Sequence, residues 1–183
     1  MPVSPATPAP IRPEELKRLL DGLSVELFRL EARQTYLVPE EAERLRAYRE
    51  GKPVPPRLDE ELELVQDLVT AGVRVRRVHI VEQPLSEYVR FELSGYQDEV
   101  LAGAKVYLAD RLWYSGFADL RDDFLLLDNQ IVVWVRYDDD GRFLGWERDD
   151  SPLARERCRR QREMALAEAL PLNDFLKSSS VQW

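Results

Sequence analysis

Hydrophobic positions in the first part of the chain recur mostly with helical spacing. Leu16, Leu19, Leu20 and Leu23 follow Pro13, which suits a first helical turn, and Glu14 and Glu15, which suit the positive end of a helix dipole. Val25 to Tyr36 reads two ways. Phe28, Leu30 and Ala32 alternate as in a strand, yet the same stretch also fits further helical turns. Pro39-Glu40-Glu41 opens another helix that ends near Gly51, with Leu45 and Tyr48 on one side. Lys52 to Pro56 is a stiff, proline-rich connector. Asp59 suits an N-cap, and Leu62, Val65, Leu68 and Val69 form the apolar stripe of a helix that Gly72 stops.

The second part mixes both periods. Val73 to Val81 is β-branched and alternating, a strand with Arg74 and Arg76 on the face of Val78 and Ile80. Arg77 and His79 share the opposite face with Val73, Val75 and Val81. Pro84 to Ala102 is helical, with Leu85, Val89, Leu93, Tyr96 and Val100 on one side. Short strands follow at Lys105 to Ala109, Phe124 to Leu127, Ile131 to Tyr137 and Arg142 to Trp146. Asp128-Asn129-Gln130 and Asp138-Asp-Asp-Gly141 carry hairpin-turn chemistry, and a last long helix runs from Pro152 to Leu170. This order predicts one α/β domain over residues 13–177, a mixed sheet with helices packed on it. Residues 1–12, rich in proline and poor in apolar periodicity, form a disordered arm, and 178–183 a short C-terminal tail.

Composition narrows the classes open to this chain. With 183 residues, 44% of them hydrophobic, one ordinary core can form. The longest apolar run is Ile131 to Val135, far short of the roughly 20 residues of a membrane helix, and the first 13 residues hold no signal-peptide core. A single cysteine, Cys158, excludes a disulfide framework and points to a reducing cytoplasm. A net charge of −8 argues against direct nucleic-acid binding.

Three constellations carry possible chemistry. The run from Asp138 to Glu147 places carboxylates where a calcium loop has ligands, but Arg136 stands at the first ligand position, so the run reads as a hairpin turn. Arg155, Arg157, Arg159, Arg160 and Arg162 read as a solvated helix face paired with Glu156, Glu163 and Asp149-Asp150. On the strand Val73 to Val81, an arginine on whichever face meets the core must find a carboxylate or snorkel, and so lie near an edge or a cleft. His79 is the sole histidine; with no serine or cysteine nucleophile motif beside it, it reads as a structural strand residue. No glycine-rich phosphate loop occurs, and no cofactor or metal site is expected.

Gly72 to Val81, Pro84-Leu-Ser-Glu-Tyr-Val-Arg-Phe-Glu-Leu93, Asp123 to Asp128, Tyr137 to Gly145 and Leu170-Pro-Leu172 together resemble an actinobacterial family of unknown function. Members of that family are often encoded beside Xre-type helix-turn-helix regulators. Phe28 to Glu31, Tyr36 and Pro39 to Glu41 fit the same family. The order of elements is also similar to one half of a phospholipase D-like domain. That superfamily's catalytic pattern is H-x-K, then Asp after four residues. With Asp128 at its last position, Arg121 replaces the histidine and Asp123 the lysine.

These resemblances imply a non-enzymatic regulatory or protein-interaction protein, the partner of a helix-turn-helix transcriptional regulator. The alternative is an enzyme or small-molecule sensor using a degenerate phosphodiesterase-like cleft. Candidate binding residues are Arg76, Ser86, Tyr88, Arg90, Glu92, Asp123 and Asp128. Arg90, one helical turn after Ser86, is expected to pair with Asp128 or Glu92 at the edge of a cleft formed at strand ends.

Overall fold

The computed structural model describes residues 7–57 and 60–178. Eight strands form one sheet: β1 (Ala9–Ile11), β2 (Glu26–Glu31), β3 (Arg74–Val81), β4 (Lys105–Asp110), β5 (Asp123–Leu127), β6 (Ile131–Tyr137), β7 (Phe143–Asp149) and β8 (Leu170–Pro171). Their spatial order is β1-β7-β6-β5-β2-β3-β4-β8. β2, β3 and β4 run parallel, while β5, β6 and β7 form an antiparallel meander that joins them through β2. The helices are α1 (Pro13–Asp21), α2 (Ala42–Arg49), α3 (Glu60–Thr70), α4 (Glu87–Leu101), α5 (Pro152–Glu168) and α6 (Leu172–Lys177). The anticipated mixed α/β sheet is therefore the observed one.

The two-way reading of Val25 to Tyr36 resolves to a strand for a tertiary reason. β2 lies between β3 and β5 and is covered on both sides, so Leu27, Phe28 and Leu30 are all buried. Phe28 and Leu30 face α5 with Val78, Ile80 and Phe124, around the buried Cys158. Leu27 faces the opposite way with Val75, Leu125 and Val133, toward α1 and α3. α4 and α6 cover Val106 and Leu108 of β4.

Two tight turns hold the meander. Asp128 and Asn129 both adopt positive φ (48° and 58°), the conformation a two-residue hairpin requires. Gly141 (φ 89°) closes the β6–β7 turn, where a Cβ would lie 2.8 Å from the Thr35 carbonyl. Asp138 accepts the backbone N–H of Arg142 in the same turn, so the acidic run is a hairpin, as its sequence suggested.

Residues after the long helix continue the fold to Lys177 as β8 and α6, burying Leu172 and Phe175, within the anticipated domain. Two expectations need correction. The arm assigned to 1–12 is ordered near its end: Ala9–Ile11 pair antiparallel with β7, and Ile11 packs with Leu16 and Leu20. A three-residue edge strand has too few positions to show a period. The arginines of α5 are only partly a solvated face. Arg159 donates to the Asn129 carbonyl, Arg162 to Glu26 and Arg157 to Asp122. Asp59, residues 1–6 and residues 179–183 lie outside the described residues.

Ile11→Ala is expected to destabilise the protein by about 2 kcal/mol in urea unfolding, because a buried edge-strand side chain is truncated. A disordered arm would show no change.

Candidate functional site

On the sheet face that carries α1, α3 and α4, β2 and β3 set two guanidinium groups side by side, Arg29 in register with Arg77. Like charges at paired positions repel, so this arrangement needs carboxylates. Glu31 of β2 bonds Arg77 at 2.9 and 3.0 Å and Arg29 at 2.8 Å. Glu61 of α3 reaches Arg29 at 2.5 Å and both Arg77 and Arg57 at 2.7 Å. Glu99 of α4 takes Arg77 at 2.8 Å and Arg57 at 2.7 Å. The Arg77 guanidinium also lies over the Tyr96 ring. Burial would raise the Glu31 carboxyl, but Arg29 and Arg77 hold it down at about 2.

Beyond Glu31 the network continues through hydroxyl, imidazole and carboxyl groups without a further guanidinium. Tyr96 Oη lies 3.0 Å from Glu31 and 2.7 Å from His79 Nδ1, while His79 Nε2 donates to the Arg33 carbonyl at 2.6 Å. Burial pushes His79 below its ordinary range despite Glu31. Tyr36 packs against His79 and donates to Asp123 at 2.5 Å, and Asp123 also accepts the Ala32 N–H. Burial, with Glu31 nearby, pushes the Asp123 carboxyl up to about 7. Burial with Glu41 and Glu31 raises Glu92 to about 8.

Beside this network opens a half-enclosed cavity of about 1010 Å³. Leu27, Val75, Leu125 and Val135 of the sheet form its floor. Leu16 and Leu20 of α1, Leu45 of α2 and Leu64 of α3 wall it. Arg29, Arg77 and Glu61 reach it from one side, and Tyr36, Tyr88 and Glu41 from another. A separate cleft of about 90 Å³ lies beside Asp123, between Arg33, Arg121 and Arg136.

The seven candidate residues do not form one site. Tyr88 donates to Glu41 at 2.6 Å and packs on Tyr36, so it joins the cavity wall, with Glu92 one turn further along α4. Asp123 belongs to the buried end of the network. Ser86 caps α4, accepting from Val89 N and donating to the Gln34 carbonyl. Arg76 lies on the opposite sheet face, bound to Glu26 together with Arg162.

Arg90 pairs with neither expected carboxylate. It donates to the Leu85 carbonyl and makes no ion pair among the described residues. Asp128 sits at the other end of the parallel strands. β5 runs antiparallel to β2, so its last residue meets the start of β2, where the carboxylate accepts from Ser24, Val25 and Glu26 N–H groups. Those bonds hold it below the usual carboxylate range, against partial burial.

At the carboxyl ends of the parallel strands the opening narrows to the small cleft beside Asp123. Arg111 follows β4 and donates to the carbonyls of Ala32, Phe117 and Leu120 and to Glu82. Gln34 bridges the Ile80 carbonyl and the Glu82 N–H.

Sequence reasoning required a carboxylate for a core-facing arginine of β3 but singled out Arg76 rather than Arg77, and left out Arg29, Glu31, Glu61, Glu99, Tyr36 and Glu41 as site residues. A signal for part of this set exists. Arg29 and Glu31 alternate on one strand face, and Tyr88, Glu92, Tyr96 and Glu99 form a polar stripe beside the apolar stripe of α4.

With this geometry established, comparison with solved structures defines the class of fold. The chain is similar to Nuc from Salmonella typhimurium, a phospholipase D family member, at 10% identity and a TM-score of 0.52, covering 92% of this chain and 98% of that one. It is also similar to NucT from Helicobacter pylori, at 10% identity and a TM-score of 0.48, covering 86% and 91%. The fold is thus phospholipase D-like. Residues 14–177 match the family described as Domain of unknown function (DUF6879), and the chain belongs to that family. No curated protein matches it.

Two predictions follow from the network. Arg77→Ala should cost about 3–5 kcal/mol in urea unfolding, because Glu31 and Glu99 would be left buried without their main partner. Arg90→Ala, which removes only a bond to a carbonyl, should cost about 1 kcal/mol or less.

Stability should also peak in mildly acidic solution. The depressed Glu31 carboxyl contributes above its unfolded value of ~4.3, and that contribution disappears as pH falls toward 2. Asp123 and Glu92 are raised, so between about pH 4 and their folded values of about 7 and about 8 the native state binds more protons than the unfolded chain. Stability therefore declines over that range and levels off above about pH 8. Urea midpoints measured from pH 3 to 9 should show both limbs, with Asp123→Asn flattening the alkaline one.

Proposed function

We propose that this protein is a non-enzymatic regulatory and interaction module, the cytoplasmic partner of a helix-turn-helix DNA-binding regulator. It is built on a phospholipase D-like half-domain whose reaction centre has been given over to structure. The observation that carries this reading is the fate of the three positions matching the H-x-K…Asp pattern. Arg121 is exposed, 3.8 Å from Glu82. Asp123 is buried and engaged by Tyr36 and Ala32. Asp128 caps the start of β2. His79, the sole histidine, is fully buried with both ring nitrogens occupied, so it presents no nucleophile to solvent.

The resemblance to proteins encoded beside Xre-type regulators supports the choice of partner, and the net charge of −8 supports binding the regulator rather than its DNA. The buried thiol of Cys158 fits a reducing compartment, and among the described residues no helix is long and apolar enough to cross a membrane. The rival reading, a ligand or substrate held in the vestigial cleft, has about 90 Å³ to work with.

The purified protein is expected to leave bis(4-nitrophenyl) phosphate unhydrolysed. A tagged copy expressed in its native cell should co-purify with a helix-turn-helix protein. Hydrolysis above the blank that Asp123→Asn abolishes would overturn the non-enzymatic reading, and recovery of the tagged protein without a DNA-binding partner would overturn the regulatory one.

A further inference from the structure

The large cavity is not part of the vestigial reaction centre. It lies over the face of the sheet, between the strands and α1, α2 and α3, and its floor and walls are aliphatic. At about 1010 Å³ it matches the upper end of small-molecule sites, roughly 300–1,000 Å³. Leu37, Val38 and Phe143 reach it while remaining substantially exposed, so the apolar surface continues to the rim.

Charge decides what head group can accompany an apolar body here. Each arginine on the wall is already paired. Arg29 and Arg77 are held by Glu31 and Glu61, and Arg142 by Asp138 and Asp140. An anionic head would have to break one of these pairs. The carboxylates present the opposite case. Glu40 and Glu41 both line the cavity and neither meets a cation among the described residues; Glu41 accepts only the Tyr88 hydroxyl. The Glu92 carboxyl, one turn along α4 from Tyr88, is raised first by burial and then by the neighbouring Glu41 and Glu31 carboxylates.

We propose that this cavity binds an amphipathic cation, an apolar body seated between α1, α2, α3 and the sheet with its ammonium-type head against Glu41 and Glu40. The site is a second one, separate from the cleft beside Asp123, and does not depend on a regulatory partner. A phosphate-bearing or carboxylate-bearing lipid of equal chain length meets no unspent cation and binds more weakly.

Decylamine and decanoate, matched in chain length and opposite in charge, test this by calorimetric titration into the full chain at pH 7, below their micelle thresholds. Decylamine is expected to bind once per chain and at least tenfold tighter than decanoate. Glu41→Gln keeps an acceptor for Tyr88 but removes the charge, and should bring the two affinities within about threefold. Leu45→Trp narrows the cavity and should weaken decylamine at least tenfold, with an unchanged melting temperature confirming that the fold is intact. Equal affinities in the unaltered protein overturn the proposal whatever the variants do. So does failure of decylamine to bind, which would leave the cavity to a protein segment instead. Binding indifferent to Leu45→Trp would mean surface association and would also overturn it. Because the titration uses the purified chain alone, loss of the regulatory partner reading leaves this result untouched.

Discussion

A guanidinium in the middle of a sheet face cannot stay there unpaired, and Arg77 lies buried on β3, between β2 and β4. Its partners come from three elements: Glu31 from β2, Glu61 from α3 and Glu99 from α4. Satisfying one arginine thus fixes the positions of two helices relative to the sheet. Arg29 and Arg57 complete the set, giving three guanidinium groups against three carboxylates. Such a network adds little net stability over a well-packed apolar core, because desolvation offsets most of the attraction. Its effect is on geometry. Helices packed by leucine alone could slide, whereas these are pinned by directional bonds.

That pinning also explains where empty space is left. In open α/β sheets, ligands usually sit outside the carboxyl ends of the parallel strands. Here Arg111 and Gln34 use those ends to tie the loops together, and Asp123 seals the adjoining start of β5. The larger opening lies over the sheet face, where Leu27, Val75 and Leu125 line a cavity between the strands and α1, α2 and α3. The fold is similar to that of a phospholipase D family member, and in this chain Asp123 and Asp128 are engaged by backbone N–H groups of neighbouring segments. A scaffold constrains packing far more tightly than it constrains the chemistry at its edges, so likeness of fold carries no activity by itself.

The parts of the architecture legible in the sequence were those with a long period. β3, β6 and α4 each carry enough residues for alternation or helical spacing to stand out, and α4 begins at Glu87, close to the anticipated start at Pro84. Both acidic turns followed from local chemistry, since Asp128-Asn129 and Gly141 supply the positive φ their hairpins need. The short edge strands β1 and β8 were not legible. Two or three residues have no period, and they become strands only because β7 and β4 offer free edges.

Within the candidate site the division is similar. Sequence by itself determined that Arg77 lies on the strand face opposite Arg76 and that a core-facing arginine needs a carboxylate, because strand alternation is a local property. It could not determine which carboxylates, since Glu31, Glu61 and Glu99 lie 46, 16 and 22 residues away and meet only when helices cross the sheet. The expected pairing of Arg90 with Asp128 failed for the same reason. Asp128 ends a strand, but which end of the sheet that strand end occupies depends on β5 running antiparallel to β2. Direction within the sheet, and with it the cavity over its face, was decided by tertiary structure alone. Strand direction and helix placement minimise buried unpaired charge and exposed apolar surface across the whole chain at once, a global condition that no local pattern records.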